Sequence, residues 1–238
     1  MAAFITAVEK FGYNGDIDSA DNPQDVWIYG PTVNDIPFPE AAAVTTVLSS
    51  EAGDTSDGSG ARSVTIEGLD SNYYEQSETI DLAGSAAATA VSQYIRVHRA
   101  YVATAGSATL NEGNIDVKHS STVLARIGIV NGEGLGQTLQ CGYTVPADYW
   151  EGNLKGWVMS AGRGTWEIVG VIQVRPQVGA WRTLELHIFQ PAGGMMIHEE
   201  PHHIVIPRLS DIRMRVLEST ANNMSVSAAF DLDLMGND

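Results

Sequence analysis

The sequence predicts an all-β protein, an antiparallel jelly-roll-like β-sandwich with an extended N-terminal arm. Three observations carry that expectation. Apolar residues alternate with polar ones at period 2 along most of the chain. Polar, glycine-rich turns separate the alternating stretches, and no stretch repeats convincingly at 3.6 residues.

The strands follow in order. Val64 and Ile66 oppose Ser63, Thr65 and Glu67, as in a half-buried strand. Ile80 and Leu82 flank Asp81, Ile95 and Val97 interleave with Arg96 and His98, and Val123, Ala125, Ile127 and Ile129 oppose Leu124, Arg126 and Gly128. Later, Leu184, Leu186 and Ile188 alternate with Glu185 and His187, Ile212, Met214 and Val216 with Arg213 and Arg215, and Val226 to Leu232 close the series. Turn signals lie between them at 53–60, 105–107, 111–114, 131–136 and 161–164. The helix candidate Pro39 to Val44 runs into β-branched Thr45-Thr46-Val47, so residues 44–50 read as a strand. Residues 1–40 carry the acidic run Asp16 to Asp25 and proline-punctuated segments, and form the expected arm. Residues 41–238 form the expected sandwich, and two small sandwiches, 41–145 and 146–238, are the alternative.

Composition narrows the function. The 238 residues are 44% hydrophobic and 18% charged, a globular balance with a surface leaning on Ser, Thr, Asn and Gly. The net charge is −16, and residues 1–90 set fifteen acidic groups against only Lys10 and Arg62. Such a surface repels polyanions, which argues against nucleic acid or an anionic membrane as partner. Cys141 stands alone, so no intrachain disulfide is expected, and the N-terminus lacks the basic region of a signal peptide. Folding in a cytoplasm is expected.

The chemical candidates are weak. His198, Glu199, Glu200, His202 and His203, with His187 on the strand before, supply metal-type donors, but their order is not that of a cupin and Pro201 splits the run, which reads as a polar hairpin. Asn131-Gly-Glu-Gly-Leu-Gly136 has strands rather than a helix around it and reads as a hairpin turn, not a phosphate loop. Asp16, Asp18 and Asp21 miss the calcium-loop spacing, and Cys141 has no basic neighbour in sequence to activate it. No catalytic residue, metal or cofactor is expected. Trp150, Trp157, Trp166 and Trp181 crowd the second half, and a sandwich exposing two of them on one face would stack sugar rings; otherwise they fill the core.

Several segments resemble a family of tailed-bacteriophage virion structural proteins, abundant in phages of marine bacteria. They are Ser59 to Asp70, Glu75 to Gly84, Tyr94 to Tyr101, Gly113 to Ile115, Gly136 to Leu139, Tyr143 to Ala147, Val174 to Pro176, Ile206-Pro207, Ser210 to Ile212 and Val226 to Leu232. The resemblance runs in order over residues 25–235 and departs at Tyr149-Trp150-Glu151, where a Gly-Lys turn is expected. It implies a non-enzymatic virion component assembled in the host bacterial cytoplasm. Capsid decoration, cement or spike is the leading role, with a carbohydrate- or receptor-binding module of a tail or head fibre as the alternative. The implied partners are further copies of the chain, as a homotrimer, and the major capsid or other virion proteins. In that assembly, arm residues Trp27, Tyr29 and Phe38 need a partner surface, and Arg96, Arg126, Arg213 and Arg215 answer the arm's carboxylates. Deleting residues 1–40 is expected to leave a folded sandwich that no longer joins particles.

Overall fold

The structure, a computed structural model, describes residues 3–28, 35–162, 167–189 and 195–237. Tyr29 and Trp166 lie outside the described residues. Among those described there is no helix, and the strand pairs are antiparallel. In chain order the strands are β1 (Ala3–Ile17), β2 (Gln24–Asp25), β3 (Ala43–Ser49), β4 (Ala61–Leu69), β5 (Glu75–Asp81), β6 (Ala88–Tyr94), β7 (Arg96–Ala105), β8 (Ile115–His119) and β9 (Thr122–Val130). They continue with β10 (Glu133–Thr138), β11 (Gly142–Thr144), β12 (Tyr149–Ala161), β13 (Ile168–Arg175), β14 (Arg182–Phe189), β15 (Met195–Pro207), β16 (Asp211–Ser219) and β17 (Met224–Asn237).

The chain divides into two compact units, one built from residues 1–36 and 140–238 and the other from residues 37–139. The second is thus inserted between β2 and β11, rather than following an arm or meeting a boundary near Val145-Pro146. The larger unit is a two-sheet sandwich with sheet orders β1-β17-β12-β15 and β11-β16-β13-β14, β2 also pairing with β16. Leu154, Trp157, Phe230 and Leu232 from the first sheet pack with Ile168, Ile172, Met214 and Val216 from the second. Along β17 the alternation read from the sequence is kept: Val226, Ala228, Phe230, Leu232 and Leu234 are buried while Ser227 and Asp231 face water.

The first forty residues depart from the expected arm. β1 pairs with β17 from Ala3↔Asn237 to Asn14↔Val226, and Trp27 is 1% exposed, bridged to Gln140. The signal was masked because β1 carries apolar side chains on both faces: Phe4 and Val8 pack on the core, Ile5 and Phe11 point out. Gly12 is fixed by crowding, since a Cβ there would sit 2.2 Å from the Val26 carbonyl oxygen and 2.6 Å from the Cys141 amide nitrogen.

The inserted unit is one eight-stranded sheet, β5-β4-β7-β10-β9-β8-β3-β6, curled around Val64, Ile66, Tyr94, Ile115, Val117, Leu124 and Ile127. The β9–β10 connection is the expected hairpin. Asn131 and Gly132 have φ of 53° and 82°, the positive pair that a two-residue turn matching strand twist demands. Where β5 and β6 meet, side chains replace the missing ladder. The Glu78 carboxylate accepts the amides of Val91 and Ser92, each at 2.8 Å, and Gln76 Nε2 donates to the Gln93 carbonyl at 2.7 Å. This latch nearly closes the barrel. At one end, buried Asp54 gathers the Ser49 hydroxyl and the amides of Ala61, Glu112 and Gly113, so three loop segments share one carboxylate.

Two outcomes follow from these arrangements. Deleting residues 1–40 removes β1 and β2, leaving β17 with an open edge, so the larger unit is expected to lose its cooperative thermal transition; a truncated chain that melts like the full one contradicts this. Burial raises the Glu78 pKa, but the amides of Val91 and Ser92 and the Ser92 hydroxyl more than offset it, and the net shift is downward from 4.5. A carboxyl with a lowered folded pKa stabilises above its unfolded pKa and ceases to as pH falls through the folded one. Glu78→Ala is therefore expected to cost about 1 kcal/mol at pH 7, since the latch is solvent-exposed, and nothing once acid has protonated Glu78. Urea unfolding at the two pH values checks it.

Candidate functional site

Asp211, Arg213 and Arg215 occupy alternate positions of β16 and share a face. Register sets Asp25 of β2 opposite Arg215, and the Asp25 carboxylate lies 2.8 Å from Arg215 Nε and 3.2 Å from Arg213 Nη1. Asp25 also accepts the Ile36 amide at 2.7 Å, and Asp35 pairs with Arg215 at the rim. The Trp181 ring lies 4.0 Å from the Arg213 guanidinium and 5.2 Å from that of Arg175, which pairs with Asp211 at 2.6 Å. Asp211 in turn takes the Thr144 hydroxyl. The ladder of charges is buried, and it fastens β2 and residues 35–36 to the second sheet.

Elsewhere, Arg96 lies over the rings of Phe38 and Tyr73 at 5.4 and 5.5 Å and donates to the Pro39 carbonyl. Arg126 grips Asp116 with two bonds, at 2.6 and 2.8 Å, across the β8–β9 pair. So each described member of the expected set, Trp27, Phe38, Arg96, Arg126, Arg213 and Arg215, is engaged within its own unit. The Asp25–Arg pairing anticipated from charge forms inside one chain.

The described tryptophans do not make a platform. Of those described in the second half, only Trp150 is well exposed, at 41%. Trp157 is in the core and Trp181 lies against Arg213. Tyr149 is buried edge-on against Phe4 with centroids 5.8 Å apart.

A different cluster emerges at the edges of the two sheets. β14 ends one sheet and β15 the other. Glu185 and His187 of β14 and His198 of β15 converge on Trp157 of β12, the register partner of His198. The Glu185 carboxylate is the hub: Trp157 Nε1 donates to it at 3.0 Å, His187 Nε2 stands at 3.0 Å and His198 Nε2 at 3.3 Å. The His198 ring stacks on Trp157 at 5.8 Å and 20°, and His187 tilts against the same indole at 4.7 Å.

Sequence reasoning found His187 and His198 but missed Glu185, because the strand faces are the reverse of what hydrophobicity suggests. On β14 the aliphatic side chains Leu186 and Ile188 are 50% and 53% exposed, whereas Glu185 and His187 are half-buried. On β15, Met195 and Ile197 point outward, both 64% exposed, while His198 is turned in. The spacing Glu185-x-His187 was the available signal, since positions i and i+2 share a face. The side chains of His202 and His203 lie outside the described residues.

No family model matches this chain, and no curated protein does. Among solved structures, that of the infectious bursal disease virus Gx strain aligns at TM-score 0.23 and 9% identity, over 98% of this chain and 72% of that one. The VP2 subviral particle of the same virus aligns at TM-score 0.24 and 10% identity, over 98% and 72%. Backbones that superpose so loosely do not share a demonstrated fold, and the likeness carries no argument about function.

Burial pushes the Asp25 pKa up to about 6, against the pull of Arg213 and Arg215 and with the help of Asp35. A carboxyl raised above its unfolded value of 3.8 takes up its proton in the folded state first, so between pH 6 and 4 acidification favours the fold through this group. Carbon-detected NMR of the Asp25 side chain is expected to titrate near pH 6. A midpoint below 4 would mean the two guanidiniums outweigh desolvation.

Proposed function

We propose that this protein is a non-enzymatic structural component of a bacteriophage virion, displayed on the capsid as a decoration, cement or spike protein. The observation that carries the reading is the outward apolar face of the two edge strands. Leu186 and Ile188 on β14, with Met195, Ile197 and Val205 on β15, are each at least half exposed. Leaving such side chains wet forfeits roughly 1.5 to 3 kcal/mol apiece, so two edge strands that present five of them between their outer faces are built to be covered. In this reading the cover is a neighbouring copy of the chain or the capsid shell, and the low share of charged residues, 18%, leaves few gatekeeping lysines to oppose it. The in-order resemblance of residues 25–235 to tailed-phage virion proteins supports the same reading. The virion is then the site of residence and the host bacterial cytoplasm the site of assembly.

Self-association as a homotrimer belongs to the proposal, by analogy with virion sandwiches. Mass spectrometry of purified particles is expected to find the protein in multiple copies; its absence would end the structural reading. Sedimentation of the pure protein is expected to give a trimer that Leu186→Glu with Ile197→Glu shifts to monomer without loss of β-structure. A wild-type monomer, or a double variant that still trimerises, would remove these strands from the interface.

A further inference from the structure

The reversed faces of β14 and β15 invite a chemical explanation. Turning Glu185, His187 and His198 toward the inside while Leu186, Ile188 and Ile197 face water costs free energy twice, once for each inverted set. Such a local conflict between pattern and burial is expected where a site requires it.

We propose that Glu185, His187 and His198 form a zinc site that ties the edge of one sheet to the edge of the other. Zinc bonded to nitrogen and oxygen at about 2.0 to 2.1 Å in a tetrahedron holds its donors about 3.3 Å apart. Glu185 already stands 3.0 Å from His187 Nε2 and 3.3 Å from His198 Nε2, and the ligand atoms of all three residues lie within 4.8 Å of one another. The 3.0 Å distance is to Oε2 and the 3.3 Å distance to Oε1, so one tetrahedron edge, Oε1 to His198 Nε2, exists before any ion arrives, and the others close from within 4.8 Å by side-chain adjustment.

The donor set selects the ion. Two imidazoles and one carboxylate suit zinc and its transition-metal neighbours, whereas calcium and magnesium want oxygen throughout. Trp157 supplies the outer support that ligating groups usually need: its Nε1–H holds Glu185 Oε2 at 3.0 Å and orients the carboxylate, leaving Oε1 turned toward His198. The three side chains keep between 18% and 32% of their surface exposed, so an ion has an entry path and its fourth position takes water. The ligands come from β14 and β15, which end different sheets, so metal binding cross-links the sandwich at its open side.

The test uses the full chain without an affinity tag, stripped with chelator and dialysed against zinc chloride. Elemental analysis is expected to show one zinc per chain, and the melting temperature to rise with zinc and not with magnesium. His187→Ala and His198→Ala are each expected to weaken zinc binding more than tenfold. Trp157→Phe, which keeps the ring and removes the donor, is expected to weaken it about tenfold at unchanged stoichiometry. The paired change His202→Ala with His203→Ala leaves affinity unaltered. If near-UV circular dichroism shows His187→Ala to be misfolded, His187→Gln replaces it, keeping most of the volume and a donor for Glu185. Failure of the wild-type chain to retain zinc overturns the proposal. So does unchanged affinity in the His187/His198 variants, or loss confined to the His202/His203 variant.

Discussion

The larger unit depends on a strand pair whose members are separated by almost the whole chain. β17 needs a partner on each side, β12 on one and β1 on the other, and β1 comes from the opposite end of the sequence. Every backbone donor and acceptor on β17's outer edge is therefore satisfied only once the first residues have met the last, a closure whose entropy must be met before the contacts repay it. The same return brings Trp27 to Gln140, Asp25 to Arg213 and Arg215, and the Val26 carbonyl to the Cys141 amide. The inserted unit has no such requirement, since its strands all come from residues 37–139.

Polar groups help fasten the peripheral segments of both units. Glu78 substitutes for ladder bonds at the barrel seam, Asp54 gathers three loop segments, and Asp25 with Arg213 and Arg215 holds β2 against β16. Burying charge this way is expensive, and it is met by a hydroxyl and three amides at Asp54 and by two guanidiniums at Asp25. The consequence is orientation more than stability: a carboxylate with two or three directed donors fixes register where an apolar contact would slide.

At β14 and β15 the relation between chemistry and burial is turned over. Histidines and a glutamate occupy the inner face beside Trp157 while leucine, isoleucine and methionine face solvent. The two edge strands, one in each sheet, thus present apolar side chains on their outer faces and share an inner cluster suited to an ion. The two are mechanically connected, because anything that fixes Glu185 and His198 also fixes the backbone bearing Leu186 and Ile197.

The sequence by itself determined the class of structure and much of its grammar. Period-2 alternation gave strands at Val64-x-Ile66 and along Val226 to Leu232, and Asn131-Gly132 specified its hairpin, because these signals are local: side chains alternate with the pleat, and only certain residues accept positive φ. What only the tertiary structure decided were the long-range choices. That β1 is a sheet strand and not an arm depended on a partner more than two hundred residues away, and its own two-sided apolarity concealed it. That residues 37–139 form an insertion depended on which edges paired. Which face of β14 turns inward could not follow from hydrophobicity either, since at a sheet edge both faces reach solvent and the decision fell to Trp157 and His198 waiting on the opposite sheet.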